Sequence, residues 1–476
     1  MYSPTLSGRP SAADSGDESF DVVVLGAGMA GLSAAVEAAR AGAHVVVIEQ
    51  APAVGGSAWL SAGMFWTAPD LAAYRQRIPL GDISLGRRLV ADYAAALADI
   101  RRTGVSVATQ PQHNVMTFGV GYSFDVKEFL LSQVAELVER GAQVRLSTSV
   151  ESATRRPDGS IHLELPGGSV TAPSVVFATG GFQGSDRKLA KHMGPNAAAL
   201  VHRSNPNSQG TGLDLATALG ADIAGDLSTF YGHLLPSPLQ SFAVQNFLPY
   251  SQYYSERTVL VNLDGRRFVD EFDGDELLNQ QLLRQPEARG ILIFDQYVRA
   301  THATAEPFPN LGVLDRYAAG VSAGARHVEA DTLEQLVAAS DIFDLDTAQL
   351  AITLQNYSAA AAAGERTVDG IRLAAEARPP QTGPFYAIEV QPSITFTFGG
   401  IRIDDRGRVL QATGRPIDGL FAAGADIGGL SNYGYAGGLA PAFISGRWAG
   451  ESAAAHAQPS STTDARPELQ RNGRAL

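Results

Sequence analysis

The chain has 476 residues, 45 % of them apolar, and a formal net charge of −13. That length exceeds one simple core and predicts two or three domains, or one large nucleotide-binding domain with an insertion. The acidic balance repels phosphate backbones and excludes a nucleic-acid partner, and the absence of cysteine excludes disulfides, iron–sulfur ligation by Cys, cysteine nucleophiles and cysteinyl-linked flavin.

Residues 1–19 are rich in Ser, Pro, Gly and Asp and lack the apolar stretch of a secretory signal, so a disordered tail is expected there. Apolar residues occur in no uninterrupted window of about 18, so no membrane span is expected, and the protein reads as cytoplasmic. Residues 20–25 form a short β-branched run that predicts a buried parallel strand. Gly26-Ala27-Gly28-Met29-Ala30-Gly31 follows at once. An Ala-rich helix is expected over 32–41, stopped by Gly42, then a second strand over 44–48 that ends at Glu49.

Each part of this unit has a physical reason. Gly26 permits the tight turn, Gly28 leaves room for a pyrophosphate, and Gly31 lets helix and strand pack closely. The helix N-terminus directs free N–H groups and positive dipole at the phosphates. Glu49 stands where a carboxylate bonds both ribose hydroxyls and disfavours a 2′-phosphate. Small residues then cluster at Gly55-Gly56-Ser57 and Ser61-Ala62-Gly63, as they would against a large planar ligand. Two further strands end in glycine turns, one at 174–181 with Ala178-Thr179-Gly180, the other at 419–426 with Gly424-Ala425-Asp426. Elements so far apart suggest one cofactor stretched across the fold, which fits FAD better than NAD. Gly437-Gly438 precedes a helical segment beginning Leu439-Ala440, whose N-terminus would face the flavin pyrimidine edge. Residues 458–476 are expected to fray. No metal-ligand spacing is present.

The pieces GAGMAG with Glu49, GGSAWLSAG at 55–63, ATGGF at 178–182, GTGLDLATALGA at 210–221, VNLDGRRFVDE at 261–271, TFGGIRIDDRGRVL at 397–410 and GLFAAGADIGG at 419–429 resemble the fumarate reductase/succinate dehydrogenase flavoprotein family, nearer its 3-ketosteroid dehydrogenases than true fumarate reductases. The resemblance implies an α/β fold: a Rossmann-like split FAD-binding domain over 20–227 and 397–457, with an inserted α+β cap over 228–396. It implies cofactor contacts at Gly26, Gly28, Met29, Ala30, Gly31, Glu49, Gln50, Gly55, Gly56, Ser57, Ser61, Ala62, Gly63, Val150, Ala178, Thr179, Gly180, Gly212, Asp214, Gly424, Ala425, Asp426, Leu439 and Ala440. Some members link flavin to a His after the GGS turn; Ala58-Trp59-Leu60 stands there, so non-covalent FAD is expected.

The resemblance also sets the chemical expectation, a hydride exchanged between flavin and a carbon near a carbonyl. His233 matches a family His. The fumarate reductases' acid Arg falls near Asp275, their carboxylate-clamp Arg at Tyr435, and another His at Phe396, so the dicarboxylate machinery is largely missing. Asn432-Tyr433-Gly434-Tyr435-Ala436-Gly437-Gly438 is similar instead to the Tyr-plus-glycine arrangement by which ketosteroid dehydrogenases hold a ketone oxygen. The expected donors are Tyr435 and the N–H of Gly437 or Gly438; the alternative is that Tyr433 and Tyr435 only wall the flavin. The base is left among Tyr231, His233 and the tyrosines 250, 253 and 254. The expected activity is desaturation of a C–C bond beside a ketone in a small, mostly neutral substrate. Electrons would pass to oxygen, a quinone or a soluble carrier. The alternatives are an ene-reductase, an alcohol or amine oxidase, or a flavin-binding protein without turnover.

Overall fold

The computed structural model describes residues 17–306 and 312–458. Most of the two expected tails lies outside the described residues, and one part of them is corrected. Asp17–Ser19 forms a strand parallel to Gly168–Ala172, with Glu18 opposite Val170. Ser169 and Thr171 hydroxyls donate to the Asp17 carboxylate at 3.2 and 2.8 Å. Polar composition hid this strand because its ladder is made by the backbone, whatever the side chains.

Val22–Leu25 (β1), Met29–Arg40 (α1) and Val45–Ile48 (β2) form the expected opening unit. All four residues of each strand are buried, as a parallel sheet covered on both faces requires. Gly42, at φ +87°, closes the helix and donates its N–H to Ala39 O. Gln143–Arg145 (β3) and Ser174–Phe177 (β4) extend the sheet on either side, β3 beside β2 and β4 beside β1.

The chain then builds a second sheet from Leu234–Pro236 (β5), Val259–Asn262 (β6), Gly290–Asp295 (β7), His327–Ala330 (β8) and Phe385–Ile394 (β9). The helix Asp275–Leu282 (α2) lies between β6 and β7 in sequence. The long strand β9 pairs antiparallel with β5, β7 and β8, and β6 pairs with β7. Val201–His202 joins the far edge of β9 in parallel. Two adjacent ladders connect the two sheets, Ile223–Ala224 with Gly400–Ile401 and Phe230–Tyr231 with Phe396–Thr397.

Arg408–Leu410 (β10) and Pro416–Ala422 (β11) return the chain to the first sheet, whose order is β10-β11-β4-β1-β2-β3. The fold is thus an α/β Rossmann-like sheet split by an α+β insertion. The last helix, Leu439–Ala457 (α3), packs on α1 through small residues. A Cβ on Gly446 would overlap Ala30 O, and one on Gly450 would overlap Ala34 O. This close approach holds the N-termini of α1 and α3 in one fixed relation.

Candidate active site

One continuous cavity of about 560 Å³ is walled by Gly28 and Glu49 as well as by Tyr231, Tyr435 and Gly438. Residues from both ends of the chain therefore share one space. Its glycines test whether a dinucleotide fits. A Cβ on Gly26 would overlap the Ala178 carbonyl, and one on Gly31 would overlap Gly26 O. At Gly28 the nearest atom to such a Cβ is Gly55 O, 3.9 Å away. The outer glycines thus close the turn while the middle one opens onto the cavity. Gly28 is the N-cap of α1, and the first helical bond runs from Leu32 N–H to Gly28 O, so the preceding N–H groups are available to phosphate. Glu49 Oε2 accepts from Ala27 N–H and Oε1 from Ala51 N–H, both at 2.8 Å. Each oxygen keeps a lone pair for a ribose hydroxyl. The donor set and the bare backbone fit FAD.

The wall also includes Gly26, Met29, Ala30, Gln50, Gly56, Ser57, Ser61, Ala62, Ala178, Thr179, Gly180, Gly424, Ala425 and Leu439. Other expected contacts sit behind it. Gly55 donates its N–H to Ala27 O, and Gly63 O accepts from Phe124 N–H. Gly212 donates to Thr179 Oγ1 at 3.0 Å. Asp214 pairs with Lys188 and is exposed. Val150, Gly31 and Ala440 are packing residues outside the wall. Asp426 departs most clearly from its expected ribitol contact. Its buried carboxylate accepts from the N–H groups of Thr179 and Gly181 and from Thr179 Oγ1. It therefore clamps the 179–181 turn from behind, and burial raises its pKa against those hydrogen bonds.

The reacting end is aromatic. Tyr435 is 5 % exposed, stacks on Tyr231 with ring centroids 4.0 Å apart, and meets Trp66 edge-on at 5.1 Å. A Cβ on Gly438 would stand 3.0 Å from the Tyr435 hydroxyl. Gly437, at φ +104°, faces the Trp66 carbonyl, where any Cβ would overlap it. Gly438 is the N-cap of α3, and the first helical bond runs from Ala442 N–H to Gly438 O at 3.0 Å. The phenol thus lies against bare backbone at a helix N-terminus.

Behind this pair is a buried chain. It begins at Tyr231, the ring stacked on Tyr435. The Tyr231 hydroxyl donates to His233 Nε2 at 2.7 Å, and His233 Nδ1–H donates to Asp275 Oδ2. The carboxylate on Nδ1 selects the tautomer that leaves Nε2 an acceptor. Burial lowers the His233 pKa, opposed by Asp275. Burial pushes both phenols far above their usual range, and each member of the Tyr231–Tyr435 pair is affected by the other. His233 itself is fully buried and does not reach the wall. Of the other candidate bases, Tyr253 is in the wall, whereas Tyr250 and Tyr254 are outside it. Tyr433 is also outside it. At φ +64°, Tyr433 accepts from Gln281 Nε2 at its hydroxyl and from Gln280 Nε2 at its carbonyl, which ties the 432–438 loop to α2.

Sequence reasoning missed two residues. Asp275 stands in the sequence only as the position of an absent arginine, and its pairing with His233 spans 42 positions. Arg203 is in the wall with 7 % exposure, and no motif marks it.

The fold and the cavity define a flavin-dependent oxidoreductase. A family model described as an FAD binding domain matches residues 98–439, and one described as an FAD dependent oxidoreductase matches residues 21–119. The chain belongs to the FAD binding domain family, FAD_binding_2. It is 27 % identical to a probable fumarate reductase, Ifc3, of Shewanella frigidimarina, over 92 % of this chain and 76 % of that protein. It is 27 % identical to the 4-oxocyclohexanecarboxylate 2-dehydrogenase of Sinomonas cyclohexanicum, over 94 % and 96 % of the two chains. Among solved structures, the 3-ketosteroid-Δ4-(5α)-dehydrogenase of Rhodococcus jostii RHA1 superposes with a TM-score of 0.71 at 22 % identity, covering 92 % of this chain and 97 % of that one. Among the described residues no helix is long and apolar enough to cross a membrane, and no cluster could hold a metal ion.

Proposed function

We propose that this protein desaturates a carbon–carbon bond beside a ketone. The observation that carries this is the Tyr435 hydroxyl set against Gly438, with its ring stacked on Tyr231, whose own hydroxyl is bonded to the buried His233–Asp275 pair. The Tyr435 O–H and the Gly438 N–H are uncharged donors suited to a carbonyl oxygen. Together they stabilise the negative charge that develops there and acidify the neighbouring C–H. Tyr231 takes the α-proton as its own proton moves to His233 Nε2, and Asp275 holds the imidazolium that forms. Burial keeps Nε2 unprotonated beforehand; the same burial makes transfer from the Tyr231 phenol uphill, and the Asp275 carboxylate, which raises the His233 pKa, is what favours it. Bound FAD supplies the acceptor for the β-hydride. The proton and the hydride leave adjacent carbons, so the substrate loses two electrons, which pass on to oxygen, a quinone or a soluble carrier.

In this reading residues 20–227 and 397–457 carry FAD without a covalent link, and residues 228–396 cap the substrate. The names of the Sinomonas and Rhodococcus proteins support a cyclic ketone. The same groups in reverse would reduce an activated alkene, a second reading favoured by the name of the Shewanella relative. Anaerobic mixing of the holoenzyme with cyclic ketones separates them. Bleaching of the visible flavin band supports desaturation. Failure to bleach, with rapid reoxidation of the reduced enzyme by enones, supports the reductase.

A further inference from the structure

Arg203 has a charge that the fold leaves unanswered. Val201–His202 pairs with β9, and the Arg203 N–H continues that ladder to Ile394 O at 3.0 Å, so its backbone is fixed. Its side chain is in the cavity wall. Nη1 donates to Thr395 Oγ1 at 3.0 Å, and the guanidinium carbon lies 4.7 Å from the Phe247 ring centroid. Both partners are neutral. Nε is buried without a partner, and no carboxylate of the described residues forms an ion pair with this side chain. Arg203 is also the one cation in the wall among the described residues.

A guanidinium does not shed its proton in a protein, so it cannot escape burial by becoming neutral. The buried acids of α2 do not neutralise it. Asp275 is engaged with His233, and burial raises the Glu276 pKa to about 8, which keeps that carboxyl protonated at neutral pH. A neutral ligand would strip water from the guanidinium and give nothing back. With Nη1 engaged at Thr395 and Nε enclosed, Nη2 is the nitrogen left to a ligand, and a carboxylate oxygen there makes a charge-assisted hydrogen bond.

We propose that Arg203 is a specificity residue that takes a carboxylate carried by the substrate, at a point separate from the ketone-oxygen donors Tyr435 and Gly438. This deepens the dehydrogenase reading and rests on it. One cation and one uncharged donor pair fit a keto monoacid, not a dicarboxylate and not the mostly neutral substrate expected from sequence.

The test uses a ligand that cannot react. Cyclohexanecarboxylate and cyclohexanecarboxamide are titrated into the holoenzyme by calorimetry. The acid should bind the parent at least about tenfold tighter than the amide, as a charge-assisted pair requires. Arg203→Met should erase that preference, and Arg203→Lys should keep part of it. Because the charge is unpaired in the free protein, Arg203→Met should also melt no lower than the parent without ligand. Equal binding of acid and amide to the parent, or a preference that survives in Arg203→Met, overturns the proposal. An Arg203-dependent preference with no ketone-driven bleaching removes the dehydrogenase reading but leaves the anion site. Bleaching by ketones without the preference does the reverse.

Discussion

Tyr435→Phe removes one oxygen and little else. The ring would keep its stack on Tyr231 at 4.0 Å and its edge contact with Trp66 at 5.1 Å. What folding loses is at most the hydrogen bonding of one hydroxyl, about 1 kcal/mol net. The cost to the reaction is larger, because the hydroxyl is a preorganised donor in a buried site, 5 % exposed. Removing one such donor costs roughly 2.7–4 kcal/mol of transition-state stabilisation, a fall of about 10²–10³ in rate. The Gly438 N–H remains, so the loss should be partial. Since the bond strengthens as charge reaches the carbonyl oxygen, kcat and kcat/KM should fall together. The assay is anaerobic stopped-flow reduction of the holoenzyme by a saturating cyclic ketone, read at the visible flavin band, with thermal unfolding as control. A variant reduced within about threefold of the parent rate would remove Tyr435 from the mechanism, since no oxyanion donor is worth so little.

Other consequences can be measured alongside it. Asp275→Asn frees His233 to place its proton on Nε2, where it can no longer accept from Tyr231; the reduction rate should drop about 10²–10⁴-fold. His233 must be neutral to act, and burial lowers its pKa from the usual 6.5. In the parent the rate should therefore hold from neutral pH to below 6.5 and be lost as pH falls through the depressed value. An acid limb at or above 6.5 would contradict this. Glu276 is buried, has an unbonded Oε2, and is raised from the usual 4.5 to about 8. Its folded pKa lies above its unfolded one, so its contribution to stability is full below 4.5 and is lost as pH rises through 8, on the order of a few kcal/mol. Glu276→Gln should flatten the fall in Tm between pH 5 and 8.5, and an unchanged slope would count against the buried acid. Gly450→Ala places a methyl against Ala34 O and should cost about 1–3 kcal/mol, seen as a lower Tm of the holoenzyme.

The parts legible in the sequence are those whose physics is local. The strand–glycine–helix unit at 22–48 needs only neighbouring residues, and it stands within three residues of its expected bounds. The glycine turn at 178–180 and the helix start at Gly438 are legible for the same reason. What escaped depends on distant partners. Asp426 belongs to a glycine turn by sequence, but its carboxylate reaches back to Thr179 and Gly181. Tyr433 and Tyr435 are two positions apart and look equivalent, yet the left-handed backbone at Tyr433 sends its phenol to Gln281 and not to the cavity. His233 was visible as a candidate, whereas Asp275 became meaningful only when α2 brought it to Nδ1. Asp17–Ser19 was lost because a backbone ladder leaves little trace in composition.

The exchange of charges at the reacting end bears on the direction of the reaction. The positions where the resemblance placed two arginines hold Tyr435 and Asp275. An arginine acid keeps a proton ready for delivery, which suits reduction of an alkene. Here the group next to the cavity is Tyr231, backed by an imidazole whose burial favours its neutral form. A neutral Nε2 behind a phenol has the lone pair that the proposed relay needs. Asp275 adds to this, because its carboxylate stabilises the imidazolium after transfer. The cation that remains in the wall, Arg203, is held apart by Thr395 and Phe247. It is suited to bind an anion and is no part of the proton chain. On the proposed desaturation the proton leaves through Tyr231 toward His233, and a solvent isotope effect on flavin reduction that vanishes in His233→Gln would be the direct sign of that path. An effect that persists in full in His233→Gln would show that the proton leaves by another route.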